Sequence, residues 1–318
     1  MRTTTRLLPL LAGAAVAAAL ALPSPAAADG SEVFPGGPAV PVGTSAERAA
    51  QQLRAEGRTA EADAAARIAA QPSAVWIGDW LQGDALVAEL RRQSDAAAAQ
   101  GRTAVFVTYA IPGRDCGNHS AGGLPPEQYR AWNRTVADTL RGTGAAVIVE
   151  PDALALQGTC PGLEGDRSGL LYEASRTLSG AGLTVYLDAG HSGWVPAETM
   201  IQRLWAAGLE FARGFSTNVS NHRSTEAEAA YAERLRAMSG KHAVIDVSRN
   251  GAGWTGDWCN DPGARLGEAP RVVDDRTGVD ALLWIKRPGE SDGECAGGPA
   301  AGSWYETAAL DLVRLRAS

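Results

Sequence analysis

From Ala74 to Ile285 the chain switches repeatedly between short apolar runs and longer stretches of helical pattern. The apolar runs lie at Ala74–Ile77, Ala104–Tyr109, Ala145–Val149, Thr184–Leu187, Gly208–Phe215, Ala243–Val247 and Ala281–Ile285. Between most of them fall Gly83–Ala99, Pro126–Arg141, Ser168–Ala181, Pro196–Ala207 and Thr225–Met238, each with helical composition. A strand buried on both faces reads as a continuous hydrophobic run, and parallel neighbours need a helical crossover. The pattern therefore predicts an α/β fold in which helices cover a parallel sheet. Seven such units suit a (β/α) barrel better than an open doubly wound sheet. No GxGxxG follows the first strand and no GxxxxGK[ST] occurs, so nothing is present to cradle a nucleotide's phosphates. A capped helix over Ala46–Ala70, with Gly57 its one breaker, precedes the alternation, and a helix over Glu306–Leu315 closes it.

The N-terminus follows different rules. Arg2 and Arg6 precede an apolar run from Leu7 to Leu22, then Pro23 and the small residues Ala26-Ala27-Ala28. Residues 1–28 are expected to be a secretory signal peptide, with an uncleaved anchor helix as the alternative. Residues 29–43, rich in Gly and Pro and without periodicity, are expected to be an arm on the surface. Residues 44–318 are then expected to form one domain.

Composition narrows the partners. The 29 basic and 36 acidic residues contain no basic run, which argues against nucleic acid or an anionic membrane as partner. The four cysteines of an exported chain are expected to form two disulfides among Cys116, Cys160, Cys259 and Cys295, with three connectivities open. No CxxC pair exists and the four histidines lack ligand spacing, so neither a metal nor a cofactor is expected.

Candidate chemistry sits just after the strands. Asp115, Asp152, Asp188 and Asp292 each follow one, and a parallel barrel brings all C-terminal strand ends to one face. A single Asp there is often a helix cap, but four converging carboxylates suit proton transfer. Like charges drive their pKa values apart, so one acid keeps its proton while another stays ionised, as glycosidic-bond cleavage requires. Divalent-metal binding is the rival use of such acids, with Arg114 and Lys286 in the same loops weighing against it. Nine Trp against four Phe add flat amphipathic rings suited to sugar faces, with Trp76, Trp194 and Trp258 near the acids. Trp80, Trp132, Trp205 and Trp284 read as structural. Only two Lys accompany 27 Arg, which singles out Lys286 at the last strand end.

Six stretches resemble the cellulases of glycoside hydrolase family six, of actinobacterial endoglucanase type. They are Tyr109–Asn118, Val147–Asp152, Tyr186–His191, Ser216–Val219, Asp246–Gly251 and Trp284–Gly293, in the family's order. The resemblance implies a distorted barrel of about seven strands that hydrolyses β-1,4-glucan with inversion, as a secreted monomer acting on internal bonds. It also implies the pairings Cys116–Cys160 and Cys259–Cys295. By the same resemblance Asp152 looks like the proton donor, Asp115 like the neighbour that raises its pKa, and Asp292 like the base. Tyr109 would press on the distorted ring. Trp76, Asp188, His191, Trp194, Asn218, Trp258, Lys286 and Glu290 match sugar-contacting positions. One departure stands out: Ala121 replaces the serine that holds the attacking water, with Ser120 immediately before it. The alternative function is a glucan-binding protein of this fold with little turnover.

Overall fold

The structure, a computed structural model, describes residues 1–3, 30–160, 162–163 and 165–314. The expected signal peptide therefore lies outside the described residues except for the first three. Among the described residues, eight strands form one sheet: β1 (Val75–Gly78), β2 (Val105–Tyr109), β3 (Ala146–Val149), β4 (Thr184–Asp188), β5 (Gly214–Thr217), β6 (His242–Asp246), β7 (Arg271–Val272) and β8 (Val279–Leu283). Their order is β1-β2-β3-β4-β5-β6-β8-β7. Neighbours from β1 to β6 and on to β8 are parallel, while β7 runs antiparallel on the far edge of β8.

Helices α4 (Gly83–Ala99), α5 (Pro126–Leu140), α6 (Arg167–Gly180), α7 (Ala197–Ala206) and α8 (Thr225–Ser239) cross between successive parallel strands. The two-residue period of each strand splits its side chains. Val105, Val107, Ile148 and Tyr186 fill the inside of the curled sheet, while Phe106, Val147, Leu187 and Phe215 pack outward with the helices. The barrel is distorted because β1 and β8 do not pair as strands. Among the described residues those edges share one backbone hydrogen bond, from Ala74 N–H to Trp284 O at 2.9 Å. The Trp76 indole adds a second link by donating to Ile285 O at 2.8 Å.

The structure departs from the sequence reading in four places. The helix expected over Ala46–Ala70 is two, α2 (Ser45–Ala55) and α3 (Thr59–Ala69), because Gly57 turns into the left-handed region at φ 78°. The strand expected from Gly208 begins only at Gly214. Gly208 (φ 88°) instead terminates α7, with Leu209 N–H returning to Leu204 O at 3.1 Å. The two-residue β7 is too short to leave a periodic signal. Lastly, where an arm on the surface is expected over residues 29–43, Phe34, Pro38, Ala39 and Pro41 are buried while Pro35, Gly36 and Val42 are exposed. After α1 (Gly30–Val33), Phe34 is 1% exposed and stacks on Tyr186, ring centroids 6.3 Å apart, at the N-terminal mouth of the barrel. Behind it, Tyr186, Arg213 and His242 converge on the buried Asp280. Pro38 and Ala39 run beside Thr103, and the last helix, α9 (Glu306–Arg314), adds Ala309 and Val313 to the core around Trp284.

Candidate active site

The C-terminal strand ends surround a cleft of about 900 Å³. Trp76, Tyr109, Asp115, Asp152, His191, Trp194, Trp258, Lys286, Glu290 and Asp292 all line it, from six different βα units. Asp115, Asp152 and Asp292, separated by up to 177 residues in sequence, thus face one space.

Asp152 stands in the turn that ends β3. Glu150 and Asp152 both hold positive φ, 50° and 70°, a conformation that costs a non-glycine residue about 1–3 kcal/mol. Surrounding contacts hold the turn. Glu150 accepts hydrogen bonds from Ala110 N–H (3.0 Å) and Ile111 N–H (3.1 Å), and Asp152 N–H donates to Asp188 Oδ2 at 2.9 Å. Burial, together with the charges of Asp188, Asp115 and Asp292, pushes the Asp152 carboxyl well above the ordinary carboxylate range, against a smaller opposing pull from Lys286. A carboxyl raised in this way keeps its proton to higher pH than a free aspartate does.

Asp292 has the opposite character. Burial alone would raise its pKa, but Arg249 Nη1 at 2.8 Å, Lys286 Nζ at 3.2 Å and the Asn260 N–H at 2.9 Å outweigh that and hold it well below the usual range. Across the cleft, Asp115 (φ 56°) accepts from both N–H and Oγ of Ser120, each at 2.8 Å. The Ser120 hydroxyl also meets the Tyr109 hydroxyl at 2.9 Å. Arg114 pins the same loop, donating to Asp79, Tyr109 O and Ser120 O while stacking 4.7 Å from the Tyr109 ring.

Two expected sugar contacts are placed elsewhere. Asp188 (1% exposed) and Asn218 (fully buried) do not line the cleft. Asp188 accepts from the Asp152 and Gly190 N–H groups and from Ser216 Oγ, and burial raises it to about 7 despite those bonds. Asn218 (φ 65°) binds Asp246 O and both backbone groups of Arg223. They shape the loops rather than reach into the cleft. A polar side chain directly at a strand end is enclosed by its neighbours, whereas those a few residues later stand clear.

His191 is driven down to about 4 by burial first and by Arg223, so it is neutral, and its Nδ1 accepts from Gly193 N–H at 3.2 Å. Glu290 pairs with Arg287 at 3.2 Å and accepts from Ser45 Oγ at 2.7 Å, which ties the start of α2 to the rim. Both disulfides are formed with the pairings that the resemblance implied, Cys116–Cys160 and Cys259–Cys295. They staple the loops carrying Asp115 and Trp258. His119 lies close to the sulfurs of the second bridge, but sulfurs bonded to each other are not thiolate ligands. The oxygens of Asp292, already held by two cations, also suit a divalent ion poorly.

Trp80 and Trp254, 55% and 40% exposed, line the cleft as well. Trp80 was expected to be structural. Its exposure follows from its place two residues beyond β1, a signal readable from strand spacing. Trp132 and Trp284 are buried, with their indole N–H groups on Leu81 O and Glu268 O. Trp205, on α7, is 42% exposed away from the cleft.

The sequence profile described as glycosyl hydrolases family 6 matches residues 39–316. The chain belongs to glycosyl hydrolase family 6. Within this family, Endoglucanase A of Cellulomonas fimi is 47% identical over 249 residues, covering 78% of this chain and 55% of the relative. Endoglucanase 1 of Streptomyces halstedii is 38% identical over 283 residues, covering 85% and 86%. Among solved structures, the endoglucanase Cel6 from Mycobacterium tuberculosis, in complex with a thio-linked methyl cellobiosyl-cellobioside, superposes with a TM-score of 0.82. It is 39% identical, and the match covers 89% of this chain and 98% of that one. The chain spans about half the length of the first two curated relatives it matches.

Proposed function

We propose that this family 6 chain hydrolyses internal β-1,4-glycosidic bonds of cellulose or a related β-glucan with inversion at the anomeric carbon. The observation that carries the reading is that one cleft brings together a carboxyl whose pKa is raised, Asp152, and one whose pKa is lowered by Arg249 and Lys286, Asp292. Asp152 donates its proton to the glycosidic oxygen as the C1–O bond breaks, and water attacks C1 from the opposite face. Asp292 balances positive charge on the sugar ring. With its pKa so far depressed it is a weak base, so the proton of the attacking water passes to Asp115, directly or through a second water. Tyr109, edge-on to Trp76 with centroids 5.1 Å apart, bounds the ring at the cleavage point.

The loops Trp254–Cys259 and Glu294–Ser303 are short, which favours an open cleft and supports internal cleavage. Residues 1–28 act as a secretory leader, 44–318 form the catalytic unit, and the enzyme works outside the cell as a monomer. The two disulfides support an oxidising compartment. No helix among the described residues is long and apolar enough to cross a membrane.

Proton NMR of fresh products from a short cello-oligosaccharide tests the reading. The α-anomer is expected first from wild type, with no release by Asp152→Ala. Initial β-anomer would overturn inversion. A glucan-binding role is supported instead if both proteins bind the oligosaccharide and neither cleaves it. That alternative draws on Ala121, which lacks the hydroxyl that would hold the water.

A further inference from the structure

Trp254 contributes to no core cluster among the described residues, yet it is fixed in orientation. One face of its indole is covered by Arg223, whose guanidinium carbon stands 4.4 Å from the ring centroid. Arg223 is itself anchored. Its carbonyl accepts from the side-chain amides of Asn218 (3.1 Å) and Asn250 (3.0 Å), and its N–H donates to Asn218 Oδ1 at 3.0 Å. Its guanidinium packs flat against Gly193, where a Cβ would meet the central carbon at 2.6 Å. Gly193 adjoins Trp194, another exposed indole of the cleft. One planar cation is therefore wedged between the loop carrying Trp194 and the loop carrying Trp254. A cation held over one face of an indole favours that ring orientation and leaves the other face accessible.

We propose that Trp254, backed by Arg223, is a further sugar-stacking platform that adds a subsite to the cleft on its Trp194 side. The proposal rests on the β-glucan reading above. A β-1,4-linked pyranose exposes apolar C–H faces, and a ring already oriented loses little entropy when it stacks on one. The platform is engaged only by chains long enough to reach past the bond being cleaved. Its signature is a gain of affinity with chain length.

The experiment measures binding of cellotriose through cellohexaose by calorimetry, using Asp152→Ala to prevent hydrolysis. Adding Trp254→Ala is expected to leave the shortest ligand unchanged and to weaken the longest by about tenfold. Circular dichroism verifies that both variants fold. Equal binding at every length would overturn the platform, and so would a uniform loss at every length, which marks structural damage. If the Asp152→Ala protein binds none of the oligosaccharides, the β-glucan reading itself fails, and the platform with it.

Discussion

Ser120 donates its hydroxyl to Asp115 Oδ2 at 2.8 Å. The Ser120 Oγ also stands 2.9 Å from the Tyr109 hydroxyl, so one side chain orients both a carboxylate and the ring that borders the cleavage point. Replacing it with alanine leaves Asp115 the Ser120 N–H but frees its second bond and the tyrosine. Ser120→Ala is expected to lower kcat by about 10- to 100-fold with KM changed little, since positioning errors near 1 Å carry penalties of that order. Steady-state kinetics on a soluble β-glucan checks this; a change confined to KM would assign Ser120 to substrate binding instead.

Asp115 also acts on Asp152 through charge. Asp115→Asn removes the proposed proton acceptor, so turnover falls, and it also lessens the repulsion that raises the Asp152 pKa, so that pKa falls and the residual rate reports it. Because only the protonated acid can donate, the alkaline limb of kcat against pH is expected to move to lower pH. A limb that stays in place, or moves upward, would show that the two carboxyls are not coupled.

Glu150 gives a stability signature. Burial raises its carboxyl to about 7, against the hydrogen bonds from Ala110 and Ile111. Its unfolded value is about 4.3, so the native state holds the proton more tightly. The contribution of Glu150 to stability is fully present below that unfolded value and is lost as pH rises through about 7. Asp188, also near 7, has the same sign. Glu150→Gln is expected to lower Tm at acidic pH yet to show a shallower fall in Tm between about pH 4.5 and pH 8 than wild type. Parallel Tm curves for the two proteins would contradict the assignment.

Phe34 tests the N-terminal segment. Truncating a fully buried aromatic side chain costs about 3–5 kcal/mol, and here the lost ring also uncovers Tyr186 and its bonds to Asp280. Phe34→Ala is expected to reduce unfolding free energy by that amount in denaturant titrations, while the folded fraction keeps its kcat. A loss below about 1 kcal/mol would return residues 30–43 to the surface arm of the sequence reading.

The sequence carried most of this architecture because its parallel strands are buried on both faces and so leave uninterrupted apolar runs. Asp115, Asp152 and Asp292 were legible for a related reason: parallel topology sends every residue after a strand to one end. What failed was local. Gly208 and Gly57 break helices through backbone conformation, which periodicity does not register. Asp188 and Asn218 share the strand-end pattern with the cleft residues, and only the packing around them reveals that they face inward. Phe34 sits in a stretch without periodicity, so no amphipathic pattern announces its burial. Trp254 belongs to a loop, where exposure depends on tertiary surroundings rather than on neighbours in sequence, whereas the place of Trp80 just after β1 was a readable signal.

The missing pairing between β1 and β8 has a consequence for grip. In a fully hydrogen-bonded barrel the lattice of amides fixes the distance between any two strand ends. Here, among the described residues, the jaws bearing Trp76 and Lys286 are latched by one amide at Ala74 and by the Trp76 indole itself, the group that also faces the cleft. The residue that would hold a sugar thus sets the aperture through which that sugar is held, and a variant such as Trp76→Phe would alter both at a stroke.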